Sequence, residues 1–322
     1  MIASAITTLR GRMDNLKVPR ELVLFAVLIL VVVAMSFLSP NFLTLSNMLN
    51  TSRFFTEIGL IALGMTLIII TGGIDLSVGS SLAIVSVAVG FSFAAGLPLP
   101  LAILFGVFVG LAAGAFNSFF ITQLELHPLV VTLGTLALFR GVAFGLSDAD
   151  AVSDFPAWFD YFGQFFIGPI PGQLIVFVMA VAVVWLILAR TRYGRYVYAI
   201  GSNEEAARFS GVPIRRVKVA LYTGMGFLVA LAAVIYTSRV STARADSGTG
   251  LELDVIAAVV LGGASIYGGK GSVAGTVLGL LIIATLRNGL VLAGVSSTWQ
   301  LFVLGVLLIA AVFFNEFFRK EG

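Results

Sequence analysis

The 322-residue chain contains no cysteine and a single histidine, His127. The first absence excludes disulfides, thiolate metal sites and cysteine nucleophiles, and the second excludes a multi-histidine metal site. Charge is also scarce, because Asp, Glu, Lys and Arg make up 11% of the residues where soluble domains carry roughly 25%. In their place stand apolar residues, 59% of the chain, at a mean hydropathy of +1.07. A soluble core of this length cannot enclose that much apolar surface, so the chain reads as an all-α integral membrane protein.

About ten apolar segments follow one another, roughly 22–39, 57–72, 76–96, 99–122, 129–147, 170–189, 218–238, 254–268, 272–293 and 299–318. Several are short or interrupted by glycine, notably around Gly72-Gly73 and Gly268-Gly269. The runs are continuous rather than alternating, so helices and not barrel strands must satisfy the backbone. The first run, LVLFAVLILVVVAMSFL from Leu22, is too long for a signal-peptide core and lacks a small-residue cleavage site. It reads as a retained span.

Lys and Arg in short loops set the orientation. With the N-terminus inside, the inner segments hold Arg10, Arg12, Lys17, Arg20, Arg190, Arg192, Arg195, Arg208, Arg215, Arg216, Lys218, Lys270, Arg319 and Lys320. The outer loops hold Arg53, Arg239 and Arg244, and the outer stretch 148–166 carries Asp148, Asp150, Asp154 and Asp160 with no basic residue. Both termini are therefore expected in the cytoplasm. The whole of 1–322 reads as one transmembrane domain, with a cytoplasmic loop at 190–217. Small residues at four-residue spacing, Gly106-Gly110-Gly114, Gly141-Gly145 and Gly275-Gly279, point first to close helix packing inside the bundle and otherwise to a dedicated dimer seam.

One stretch of that loop, GSNEEAARFSGVP over 201–213, is polar and terminated at both ends. Ser202 and Glu205 stand at capping-box spacing, and Glu204 and Glu205 sit where the helix dipole favours negative charge. Gly211 suits the left-handed position that ends a helix, and Pro213 prevents continuation. The spacing predicts a helix of about eight residues, carrying Ala206, Ala207 and Phe209 as a small apolar surface. A helix this short is marginal in water without a partner, so it reads either as a connector lying on the membrane face or as a peg that fits a groove on another cytoplasmic protein.

EAARFSG (205–211) resembles the E-A-A-x-x-x-G cytoplasmic loop of permease subunits of bacterial ABC importers. The longer stretch YGRYVYAIGSNEEAARFSGVP is similar to the branch importing monosaccharides such as ribose and xylose, with sub-branches for rhamnose and the sugar-like signal autoinducer-2. GGIDLSVGS (72–80), HPLVVTLGTLALFRG (127–141), VVLGGASIYGGKGSVAGTVLG (259–279) and NGLVLAGVSSTWQ (288–300) agree with it, in order, over most of 40–318. The resemblance implies a multi-pass protein of the bacterial inner (plasma) membrane that performs no bond chemistry. It implies a second permease subunit, identical or homologous, and a periplasmic or lipid-anchored substrate-binding protein, in a setting of membrane lipid and no nucleic acid. It also implies a separate cytoplasmic ATPase that holds ATP and magnesium, leaving this chain without a cofactor. Ser202, Asn203, Glu204, Glu205, Ala206, Ala207, Arg208, Phe209 and Gly211 would then form the contact with that ATPase.

GGASIYGGKGS (262–272) superficially suggests a phosphate-binding loop. The required G-x-x-x-x-G-K-[ST] fails at Ala264 and Gly271, its first glycine and its final hydroxyl, so a tight turn is expected. Asp75 stands at membrane depth, where a carboxylate is costly and faces a cavity or a partner. It suits either the N-cap of a helix starting at Leu76 or the lining of a solute path. Arg140, Arg287, Asn117, Asn288 and Gln300 also lie within apolar segments and read first as interior packing. Asn117, Asn288 and Gln300 are further pathway candidates, the last two foremost because they bracket a stretch that resembles the family's late-helix motif. His127, before Pro128, reads as a helix-start residue. The outer aspartates suit either solvent or a soluble binding protein. The competing classes are an ion-coupled secondary transporter built on Asp75 and a membrane-embedded enzyme, for which catalytic groups are too few.

Overall fold

The computed structural model describes residues 19–320, with side chains up to 307 and at 309. Arg10, Arg12 and Lys17 lie outside the described residues, as do the side chains of Arg319 and Lys320. The described chain is predominantly helical: α1 (Arg20–Ser36), α2 (Leu45–Ile70), α3 (Val78–Ala94), α4 (Leu99–Thr122) and α5 (Pro128–Ser147), then the short α6 (Ala157–Phe162). An antiparallel hairpin, β1 (Phe166–Ile167) and β2 (Ile170–Pro171), leads into α7 (Gly172–Arg190), α8 (Arg192–Ser202) and α9 (Glu204–Phe209). The remainder is α10 (Ile214–Val240), α11 (Leu251–Leu261), α12 (Val273–Leu292) and α13 (Ser297–Lys320).

Every apolar segment of the sequence coincides with one of these helices. Six of them, α2, α4, α5, α7, α10 and α12, are long and apolar enough to cross a bilayer. Each has the length and composition that a hydrocarbon core about 30 Å thick requires. α2 is the most enclosed of the six. It packs on α7, α10, α11 and α12, and α10 in turn packs on α3 and α4. The main core cluster follows this order, with Leu60, Ile61, Leu63, Met65 and Ile68–Ile70 of α2 fully buried against Leu221, Met225 and Val229 of α10.

Two of the glycine stripes are packing seams. A Cβ on Gly110 would press on the Gly226 carbonyl and Ala230 of α10, and one on Gly279 would strike the Ala258 carbonyl of α11. The third stripe departs from expectation: Gly141 and Gly145 face open space within the chain, so they do not serve bundle packing here.

One end of the bundle gathers 71–77, 123–127, α8, α9 and 262–272. The opposite end gathers 148–171 and 241–250, joined by the Val152–Ala243 bridge. Bidentate contacts from Arg239 to Glu57, at 2.8 and 3.1 Å, lie at that second end with both side chains largely buried. Arg239 also lies over the Phe54 ring, 4.7 Å from its centroid. Arg239 therefore ends a helix rather than sitting in an outer loop.

Candidate functional site: the capped helix and its attachment

The stretch singled out by its polarity forms a helix of six residues, Glu204–Phe209, shorter than the spacing suggested. The capping box is corrected. Asn203, not Ser202, is the N-cap, and its side-chain oxygen accepts from the Ala206 N–H at 2.9 Å. Ser202 belongs to the last turn of α8, where its hydroxyl donates to the Tyr198 carbonyl at 2.9 Å. Asn203 is extended (φ −164°) and closes α8 as well, donating its N–H to Ala199 O at 3.1 Å. One residue thus ends one helix and starts the next, which fixes how they join.

The C-terminal expectation holds. Gly211 is left-handed at φ +78°, and its N–H donates to the Arg208 carbonyl while that of Val212 donates to Ala207 O, both at 3.0 Å. This is a Schellman closure, and it brings the apolar Val212 against the core cluster that includes the buried Ala207. Glu204 is tied to Lys218 of α10 at 2.7 Å and lies 3.8 Å from Arg208. Phe209 is 88% exposed. A phenyl ring this exposed, on a helix capped at both ends, is open to contact from outside the chain.

α8 attaches this helix to the bundle. The Tyr193 hydroxyl donates to Val217 O of α10 at 2.8 Å, and that of Tyr198 donates to Gly271 O at 2.7 Å. Burial pushes the Tyr198 phenol above its ordinary range, so it remains a neutral donor. Gly201 sits against the end of α2, where a Cβ would run into the Ile70 carbonyl oxygen and the Gly269 nitrogen. The Gly269 N–H donates to that same Ile70 oxygen at 2.8 Å. The 262–272 stretch is the expected tight turn, and it is wedged between α8 and α2.

The pathway candidates divide into two groups. Asp75 and Asn117 come together through Ser77. The Asn117 amide donates to Ser77 Oγ at 2.9 Å, and that hydroxyl donates to Asp75 Oδ1 at 2.6 Å. All three are buried. α3 starts at Val78 with Ser77 as N-cap, so Asp75 does not cap a helix at Leu76. It accepts from the Ser77 N–H at 2.9 Å and holds the turn ahead of that helix. Thr132 of α5 donates to Ile74 O at 3.1 Å, and the buried Tyr222 hydroxyl of α10 stands where a Cβ on Gly73 would be.

Asn288 and Gln300 do not join this cluster. Asn288 exchanges two amide hydrogen bonds with Asn47, at 2.8 and 3.0 Å, and Gln300 donates to the nearby Val295 O at 2.8 Å. Arg140 donates to Ala245 O and Ser247 O, at 2.6 and 2.8 Å, and Arg287 pairs with Asp254 at 2.5 Å. Both side chains are engaged within the chain, as the packing reading expects, with Asp254 buried and Arg287 still 37% exposed. The His127 ring accepts from Leu129 N at 3.3 Å and caps α5. Sequence reasoning missed Ser77, Tyr222, Glu57 and Asp254. Asp254 could have been found, since its carboxylate stands in an apolar segment with Arg287 as the nearest intramembrane cation to answer it.

Helices long and apolar enough to cross a bilayer, packed around α2 with one short capped helix at the end of the bundle, define a multi-pass membrane protein. Residues 47–312 match the model of the family described as branched-chain amino acid transport system / permease component, and the chain belongs to that family. It is 43% identical over 294 residues to a ribose import permease protein of Bacillus subtilis (strain 168), covering 91% of each chain. It is 39% identical over 298 residues to an autoinducer 2 import system permease protein of Escherichia coli (strain K12), covering 91% of this chain and 90% of that one. An autoinducer 2 import system permease protein of Shigella flexneri matches at the same 39%. No solved structure matches. The chain is accordingly a permease subunit of an ABC importer in the bacterial inner (plasma) membrane, a transport component rather than an enzyme. Membership also decides against the ion-coupled transporter and the membrane-embedded enzyme.

Proposed function

We propose that this permease imports a monosaccharide or sugar-like molecule, and that α9 is the coupling helix on which a cytoplasmic ATPase subunit acts. The observation that carries the second half is the build of α9: an Asn203 cap, a Schellman closure at Gly211 and an exposed Phe209. The substrate class rests on the ribose and autoinducer-2 relatives. About ten transmembrane helices are proposed, with α1, α3, α11 and α13 added to the six long ones and both termini in the cytoplasm. The positive-inside count supports that orientation. The partners are a second permease subunit, identical or homologous, a binding protein outside the membrane, and the ATPase with its ATP and magnesium.

The mechanism is alternating access, in which ATP bound to the partner favours one conformation over the other. Motion of α9 reaches α2 through Gly201 and reaches α12 through Tyr198 and Gly271. The sugar path is assigned beside Asp75 and Asn117, with Asn288 and Gln300 as further candidates. The first two are closed off in this conformation, so contact with sugar requires the alternate state.

Co-purification of the membrane complex tests the reading. An ATPase subunit should accompany the permease, and substrate delivered by its binding protein should stimulate hydrolysis. Active transport by a preparation lacking any ATPase would sink it. Gly211→Val, which forces a β-branched residue into a left-handed position, should uncouple hydrolysis from transport while leaving the protein in the membrane. Normal transport by that variant would remove α9 from the coupling role.

A further inference from the structure

A cleft of about 900 Å³ opens beside α9, between the end of α4, the start of α5 and the start of α10. Its walls carry four cations, Arg208, Arg215, Arg216 and Lys218, against two acids, Glu125 and Glu204. Glu204 is already engaged with Lys218 and Arg208. Arg215 and Arg216 are exposed and have no hydrogen-bond or ion-pair partner among the described residues. They stand in the first turn of a 27-residue helix that has no acidic residue there. A helix N-terminus favours anions and disfavours cations, so two unpaired arginines at that position call for an anion from elsewhere. α5 also begins in this cleft, at Pro128, adding a second N-terminus of the same polarity.

The depth of the cleft decides which anion. α4, α5 and α10 are each long enough to cross the bilayer, and the cleft lies at their ends, where lipid headgroups lie. The wall residue Leu126 and its neighbour Leu124 are exposed apolar side chains, which suit an amphiphile better than a free ion. Basic pockets between transmembrane helices at the cytoplasmic face are known to hold anionic headgroups. We propose that this cleft binds the phosphodiester headgroup of an anionic phospholipid of the cytoplasmic leaflet, with Arg215 and Arg216 as its ligands. The inference rests on the orientation proposed above and not on the identity of the ATPase or the sugar.

The test is native mass spectrometry of the full-length detergent-purified protein, titrated with phosphatidylglycerol and, separately, with zwitterionic phosphatidylethanolamine. The wild type should retain phosphatidylglycerol selectively. Arg215→Gln/Arg216→Gln should weaken that binding roughly thirtyfold, as two basic residues near an anionic surface would. Arg192→Gln/Arg195→Gln, two exposed arginines on α8 outside the cleft, should leave it unchanged. Equal weakening by both pairs would reduce the effect to diffuse surface attraction and overturn the site. So would unchanged lipid binding by the first pair, including the case where that pair instead loses the ATPase subunit. Because the chain has no cysteine, Ser210→Cys can be labelled alone, and protection from an impermeant reagent in intact cells checks the orientation separately. Correct labelling with no selective lipid retention would refute this inference and leave the importer reading standing.

Discussion

The two ends of the bundle are held by different chemistry. At the end bearing α8 and α9, the Glu204–Lys218 pair ties α9 to α10, but the joints that seat α8 on the bundle are neutral: backbone meets backbone at Gly201, Ile70 and Gly269, and tyrosine hydroxyls meet carbonyls. At the opposite end the ties involve charge: Arg239 pairs with the buried Glu57 and the Arg140 guanidinium donates to two carbonyls of the 241–250 loop, while Arg244 and Asp246 pair within that loop at the surface. Neutral backbone contact at van der Waals distance has no slack, so a push on one side moves the other. A buried ion pair, by contrast, derives much of its stability from each charge having its partner in place. The first arrangement suits transmission of a displacement, and the second suits holding that end of the bundle together.

The largest effect should come from breaking the ionic end. Glu57→Ala leaves Arg239 unpaired among apolar neighbours, a loss of about 3–5 kcal/mol for a buried pair. Thermal unfolding in detergent reads it, and a variant as stable as the wild type would show that the pair holds nothing. The double change Glu57→Leu/Arg239→Met should recover part of that loss, because neither charge is then stranded. At the neutral end, Gly201→Ala forces the Ile70 carbonyl to move, an overpacking cost of about 1–3 kcal/mol. Transport should fall more steeply than stability, since the joint lies on the line from α9 to α2. Equal falls in both would make the joint merely structural.

Asn203→Ala removes the cap of α9 for about 1 kcal/mol. It should lower coupling efficiency without affecting insertion, which ATPase and uptake assays on the same membranes would separate. The smallest effect belongs to Asp246, whose carboxylate the Arg244 guanidinium holds below the ordinary carboxylate range by hydrogen bonding. A depressed folded-state pKa gives stability that is present above the ordinary value and lost as pH falls through the folded one. The slight destabilisation expected of Asp246→Asn should therefore be measurable at neutral pH and vanish in acid. A difference that persists in acid would assign it to some other contact.

Hydropathy located the helices because continuous apolar runs can do little else in lipid. It failed where polar residues are satisfied inside the bundle. By hydropathy the second apolar segment begins at 57, whereas α2 begins at Leu45. The intervening Asn47, Ser52, Arg53 and Thr56 read as loop. Yet Asn47 is answered by Asn288, and Ser52 and Thr56 bond back to their own helix. α8 was missed for the opposite reason, since it is amphipathic and lies within a loop defined by its charge. At the candidate site, spacing gave the position of α9 and its closure at Gly211. It mistook the cap by one residue, because Ser202 and Asn203 are both good caps and only the end of α8 decides between them. The Asp75–Ser77–Asn117 chain joins residues forty positions apart, a pairing that packing alone reveals.

The Schellman closure at Gly211 also bears on the mutational history open to this protein. Every non-synonymous single-nucleotide change in a glycine codon yields Ala, Val, Asp, Glu, Arg, Ser, Cys or Trp, or a stop, and each of those residues places a Cβ on a backbone at φ +78°. Asparagine, the residue that tolerates the left-handed position best after glycine, lies two nucleotide changes away. Position 211 is therefore fenced off from its one good substitute by an intermediate that strains the turn, whereas the exposed Ser210 beside it has no such barrier.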